Sequence, residues 1–144
     1  MNKKELKKKN AYHNVIEELK VLPRLEHPNI IYLHEIIDDQ KKDEIYLVTE
    51  YHSRGSLGDL VTEKNKKFTS FNERCIREGK ESKMIHVGLN DKTVRLYFID
   101  MLKALYYCHR VIKVIHRDIK PDNIMINHNN EAVLIDFGVS ALVD

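Results

Sequence analysis

Residues 116–123 read His-Arg-Asp-Ile-Lys-Pro-Asp-Asn, and residues 136–138 read Asp-Phe-Gly. Asp118 and Asp136 lie 18 positions apart, and the segment between them, Ile124 to Ile135, reads as strand, turn, strand. Two carboxylates therefore stand at the two ends of one hairpin. Lys120 and Asn123 follow Asp118 in a loop whose backbone Pro121 restricts. Carboxylates, an amide and a lysine converging at strand ends suit a hard cation with phosphate oxygens. Magnesium takes one or two carboxylates together with substrate phosphates. Phosphoryl transfer asks for in-line positioning and charge neutralisation, which such a set supplies.

Several elements must position these loops. Apolar residues recur at helical spacing from Tyr12 to Leu25, and Pro23 ends or kinks that helix. His27-Pro28-Asn29 reads as a turn. Ile30 to Ile37 and Ile45 to Tyr51 read as two strands joined by a polar hairpin loop. A short helix is expected from Leu57 to Val61, and residues 62–90 read as an inserted polar loop with a helical turn around Glu73 to Arg77. Asn90 or Asp91 caps a helix to about His109, with Val94, Phe98, Met101, Leu102 and Leu105 on its buried side. Short apolar pieces at Val111 to Ile115, Ile124 to Ile126 and Ala132 to Ile135 complete the pattern.

Composition narrows the function classes. The chain has 144 residues, 42% hydrophobic and 32% charged, enough for one modest core. Lys and Arg number 24 against 22 Asp and Glu. That near balance does not point to nucleic acid, and the lysine run at residues 3–9, without interleaved aromatics, reads as a solvated loop or helix end. No apolar run approaches the roughly 18 residues of a membrane span. Cys75 and Cys108 are far apart and form neither a metal spacing nor a disulfide framework, which makes a reducing compartment the default and a cytoplasmic, intracellular location the expectation.

The eight-residue loop and Asp-Phe-Gly, at this spacing, resemble the catalytic and magnesium loops of the eukaryotic protein kinase superfamily, serine/threonine type. Within it, the eight-residue loop with Asp-Phe-Gly-Val-Ser most resembles the calcium/calmodulin-dependent kinases and their upstream kinases, and Val139-Ser140 leans towards the upstream kinases. The resemblance implies an α+β, two-lobed fold. These residues would supply helix C and the last strands of the N-lobe, the hinge, helix E and the two loops. Residues 1–51 would be the N-lobe part and 52–144 the start of the C-lobe, with a polar insertion at about 62–90.

It also implies roles. Asp118 would accept the proton of a substrate hydroxyl, Lys120 would steady the γ-phosphate, and Asn123 and Asp136 would hold Mg2+. Glu18, nine residues before His27, would be the helix C glutamate, with Glu17 as competitor. Thr49 would be the gatekeeper, Glu50 and His52 would offer backbone groups to adenine, Met125 would lie under the ring, and Ser56 would contact the ribose. Arg117 would await a phosphate. Leu22, Leu33, His116 and Phe137 would form a hydrophobic stack coupling the lobes. ATP and Mg2+ are the implied cofactors, and a protein carrying a Ser or Thr hydroxyl is the implied substrate. A regulatory, catalytically inactive kinase-like module docking on a partner protein is the alternative. The family's glycine-rich loop, strand 3 lysine and activation segment are not among these residues. The expectation is an incomplete N-lobe sheet of two strands, an uncovered apolar stripe on helix 91–109, and at best weak ATP binding without protein phosphorylation by this chain alone.

Overall fold

The computed structural model describes residues 2–8, 12–39, 41–80 and 88–143. It is α+β, with helices and three two-stranded antiparallel sheets among the described residues.

Helix α1 (Lys3–Lys8) turns most of the N-terminal lysine run into a helix. Its Lys3 and Lys4 side chains pair with Asp38 and Asp43, and the Lys3 amide donates to the Asp43 carbonyl at 2.7 Å. Helix α2 (Tyr12–Val21) ends in a 3-10 turn, Leu22–Arg24, with Pro23 near its start. Pro23 has no amide proton, so the α-helical ladder cannot continue through it. Strands β1 (Leu33–Asp39) and β2 (Glu44–Thr49) form the first sheet. The first strand starts three residues later than its apolar run suggests. Ile30 and Ile31 leave it to pair with the second hairpin instead, where the Ile31 amide donates to the Leu134 carbonyl.

Helix α3 (Leu57–Arg77) overturns the reading of residues 62–90 as a loop and of a helix confined to Leu57–Val61. The helix continues unbroken for 21 residues. Leu57, Leu60, Val61, Phe68 and Cys75 recur at helical spacing on its buried or half-buried side, and local pairs support the polar stretch between them. Lys67 pairs with Glu63 at 2.7 Å and Arg74 with Glu78 at 3.0 Å, both one turn apart. Thr69 and Ser70 donate their hydroxyls to the carbonyls of Asn65 and Lys66. The remainder of the expected loop, residues 81–87, lies outside the described residues.

Helix α4 (Asp91–Tyr106) starts at Asn90, whose side chain accepts from the Thr93 amide at 2.8 Å, and ends in a π-helical turn, Tyr107–Ile112. The short apolar piece at 111–115 divides between that turn, which takes Val111 and Ile112, and strand β3 (Val114–Ile115). The buried row of α4 is Tyr97, Met101 and Ala104, continued by Cys108 in the turn. Of the residues expected inside, only Met101 is buried. Leu105 is half-buried, while Val94, Leu102 and Phe98, the last 63% exposed, face outward. Both sides of α4 are apolar, so periodicity does not choose between them. The face with alanine and cysteine is the one that permits close approach to the hairpin of β4 (Ile124–Ile126) and β5 (Ala132–Leu134). The uncovered stripe is present as expected.

In that hairpin Ile124 faces Leu134, and Ile126 faces Ala132. Strand β6 (Ala141–Leu142) pairs with β3 just after Asp-Phe-Gly. The core gathers Val21, Leu22 and Leu25, Ile30, the buried row of α4, Val114, the hairpin strands and Phe137. Among the described residues no helix is long and apolar enough to cross a membrane. Cys75 and Cys108 are both free and buried, and burial pushes the Cys108 thiol up to about 11.

Candidate functional site

The loop after β3 has a built-in anchor. His116 is fully buried, its Nε2 donates to the Ile135 carbonyl at 2.9 Å, and its Nδ1 accepts from the Asp118 amide at 3.2 Å. Those partners require the neutral imidazole with the proton on Nε2. Burial lowers the His116 pKa below its ordinary value, which keeps that form. Its ring meets Phe137 edge-on, with centroids 4.8 Å apart, so the two loops share one packed contact. Arg117 sits at φ 68°, a costly backbone conformation for a long side chain. Its guanidinium holds it there by donating to the Val139 carbonyl at 2.7 Å and the Ser140 carbonyl at 3.0 Å.

Asp118 is the centre of the next cluster. Lys120 Nζ donates to its Oδ2 at 2.6 Å, and Asn123 Nδ2 donates to the same oxygen at 2.8 Å and to the Asp118 carbonyl at 3.0 Å. The Lys120 hydrogen bond, followed by that of Asn123, holds the Asp118 carboxyl below the usual carboxylate range. The same bond raises the Lys120 ammonium. The side-chain nitrogen of Asn123 is thus committed to Asp118, and its amide oxygen is a hard donor. The Asn123 carbonyl accepts from the Ile135 amide at 3.0 Å, which ties this cluster to Asp136 next in chain. Asp136 has φ 62°, tolerated by a short polar side chain, and its Oδ1 accepts from the Gly138 amide at 3.2 Å.

Across from these loops opens a cleft of about 560 Å3, lined by residues including Glu18, Thr49, Glu50, His52, Met125 and Asp136. Leu22, Ile31, Ile45 and Leu47 supply apolar wall. Six of the ten site residues expected from sequence therefore share one cavity. Asp118, Lys120 and Asn123 form the adjoining bonded cluster. Ser56 is not in the cleft lining. Its hydroxyl accepts from the Asp59 amide at 3.0 Å and its own amide donates to Asp59 Oδ2 at 3.0 Å, closing a capping box on α3. Glu18, not Glu17, faces the cleft, while Glu17 pairs with Lys20. Burial, with the nearby Asp136 charge, raises the Glu18 pKa. No cation pairs with Glu18 among the described residues. Leu22 and Phe137 are buried in the common core, and Leu33 packs against it.

The donor set suits magnesium with phosphate. Among the described residues no three His, Cys, Asp or Glu side chains cluster to hold a metal by themselves. A carboxylate at Asp136 and an amide oxygen at Asn123, beside Lys120, instead fit an ion that completes its shell with water and phosphate oxygens.

Two anchoring residues carried no functional signal in the sequence reading. Asn29, read only as part of a turn, is buried. Its side chain donates to the Ala132 carbonyl at 2.9 Å, and its own carbonyl accepts from the Leu134 amide at 2.9 Å. The Tyr107 hydroxyl accepts from the Glu26 amide at 3.0 Å, fixing the segment after α2 to the end of α4. A polar residue in a turn and a tyrosine late in a helix are the only signals that the sequence offers for either.

The chain belongs to the protein kinase domain family, which matches residues 1–144. Its relatives are serine/threonine kinases. It is 31% identical over 132 residues to a calcium/calmodulin-dependent protein kinase kinase of Caenorhabditis elegans, covering 92% of this chain and 20% of that protein. It is 29% identical over 142 residues to NUAK family SNF1-like kinase 2 of Homo sapiens, covering 99% of this chain and 19% of that protein. It is 30% identical over 143 residues to the carbon catabolite-derepressing protein kinase of Candida glabrata, covering 99% and 19%. The chain spans about a fifth of the length of these curated relatives.

Proposed function

We propose that this protein acts as a serine/threonine protein kinase, binding Mg-ATP in the cleft and directing the γ-phosphoryl group to a Ser or Thr hydroxyl of a protein substrate. The observation that carries this reading is the Asp118–Lys120–Asn123 cluster, joined through Asn123 to Asp136 on the rim of the cleft. Asp118, ionised at neutral pH, accepts and orients the substrate hydroxyl. Lys120, protonated, places a positive charge beside the phosphate that is transferred. Asn123 and Asp136 would hold the metal, which when bound neutralises phosphate charge. Thr49, Glu50, His52 and Met125 line the part of the cleft assigned to adenine, with Ser56 at its margin. His116 and Phe137 hold the two loops in register. Leu22 and Leu33 extend that packing, and Arg117 fixes the turn after Asp-Phe-Gly. An intracellular setting fits the two free, buried cysteines.

A second reading is favoured by Glu18, a partly desolvated carboxylate near Asp136 with no cation paired to it among the described residues. A module in that state binds nucleotide and a partner protein without transferring phosphate. Titration of the 144-residue chain with Mg-ATP, followed by transfer of labelled phosphate to a serine-containing protein, separates the two. Weak binding that disappears in Asp136→Asn, with transfer lost in Asp118→Asn, supports the kinase. Binding without transfer is what this chain alone gives under either reading, so transfer that is lost in Asp118→Asn is the outcome that decides for the kinase. No binding by the parent chain refutes both.

A further inference from the structure

Gly58 is the second residue of α3, and its backbone is not in the left-handed region, unlike that of Gly55 and Gly79. A glycine there gains nothing from its conformational freedom, and in a helix it is less favourable than alanine. What the structure offers as a reason is contact. A Cβ on Gly58 would stand 2.4 Å from Asp122 Oδ1 and 3.3 Å from the Asp122 carboxyl carbon, so the carboxylate occupies the space that a side chain would take. Asp122 lies between Lys120 and Asn123, in the 3-10 turn Pro121–Asn123. The same end of α3 is tied to β4, directly after Asn123. The Ile126 amide donates to the Gly55 carbonyl at 3.0 Å, and Ser56 bridges to Met125.

We infer that Gly58 is a positioning residue for the loop 118–123: the notch left by its absent side chain seats the Asp122 carboxylate and so sets where Lys120 and Asn123 stand beside the cleft. The functional consequence rests on the phosphoryl-transfer reading above, while the seat itself does not.

Steric exclusion predicts a particular pattern in a double-mutant cycle. In Gly58→Ala the helix gains a better helix former, so the urea midpoint stays at or above that of the parent chain. The exposed carboxylate swings out of the notch, the nuclear resonance of the Asn123 side-chain amide shifts, and Mg-ATP binding weakens. Adding Asp122→Ala removes the clash. The double variant then returns the Asn123 resonance and the affinity to those of Asp122→Ala alone. An Asn123 resonance unmoved by Gly58→Ala would overturn the inference, and so would a shift that the second substitution does not reverse. If the parent chain binds no Mg-ATP, the phosphoryl-transfer reading falls. The Asn123 resonance in the four nucleotide-free proteins still decides whether Gly58 seats the loop.

Discussion

Asn29→Ala is expected to destabilise the chain by about 2 kcal/mol, and the reason is one hydrogen bond across 103 residues of sequence. The Asn29 side chain donates to the Ala132 carbonyl at 2.9 Å, and the two residues are 5% and 0% exposed. Alanine removes the donor and leaves a carbonyl that water does not reach. A buried group left unpaired costs about 1–3 kcal/mol. The two backbone bonds at this point, Leu134 amide to Asn29 carbonyl and Asn29 amide to His27 Nδ1, survive the substitution. They hold the expected loss near the middle of that range rather than above it. Asn29→Asp keeps the shape but turns an acceptor toward the carbonyl, so at neutral pH it should cost more than alanine, about 3 kcal/mol or above. Part of that loss should return on acidification, when the acid can donate. Urea unfolding followed by far-ultraviolet circular dichroism measures both variants. A loss for Asn29→Ala within about 0.5 kcal/mol of zero would refute the reasoning. So would an aspartate variant no less stable than the alanine one. The same contact fixes the hairpin that carries Asn123 and leads to Asp136, so nucleotide affinity should fall with stability.

Phe137→Ala should cost about 3–5 kcal/mol by urea unfolding, since Phe137 is fully buried against His116 and its removal opens a cavity between the loops. Stability from neutral His116 is present above its ordinary value of 6.5 and is lost as pH falls through its lower folded value. Urea midpoints across that window should fall less steeply in His116→Gln than in the parent. Glu18 has the opposite sign. Its raised folded value favours the protonated form, so its contribution declines as pH rises from the ordinary carboxylate range through that value. Glu18→Gln should therefore raise the thermal midpoint at neutral pH and change it little at acid pH, and a gain confined to acid pH would contradict the assignment. Ser56→Ala removes the α3 cap and should cost about 1 kcal/mol in the same unfolding assay.

The candidate site was legible because it is local. The eight residues from His116 to Asn123 and the three from Asp136 to Gly138 carry their meaning in type and spacing, and a short hairpin between them leaves little freedom in how they meet. Pro23 marked the end of α2 and Asn90 the start of α4 for equally local reasons, a missing amide proton and a side-chain cap. Residues 62–77 were misread because Phe68, Phe71 and Cys75 are widely spaced among charged residues, which hides the helical row that Leu57 and Val61 begin.

Sequence alone determined the family, the chemical inventory of the two loops and the order of the elements, since each depends on neighbours along the chain. Only the tertiary structure decided which apolar row of α4 is buried, that Glu18 rather than Glu17 faces Asp136, and that Asn29 holds the hairpin from a hundred residues away. Burial and long-range hydrogen bonds are properties of two surfaces that meet, and a single strand of sequence describes only one surface at a time.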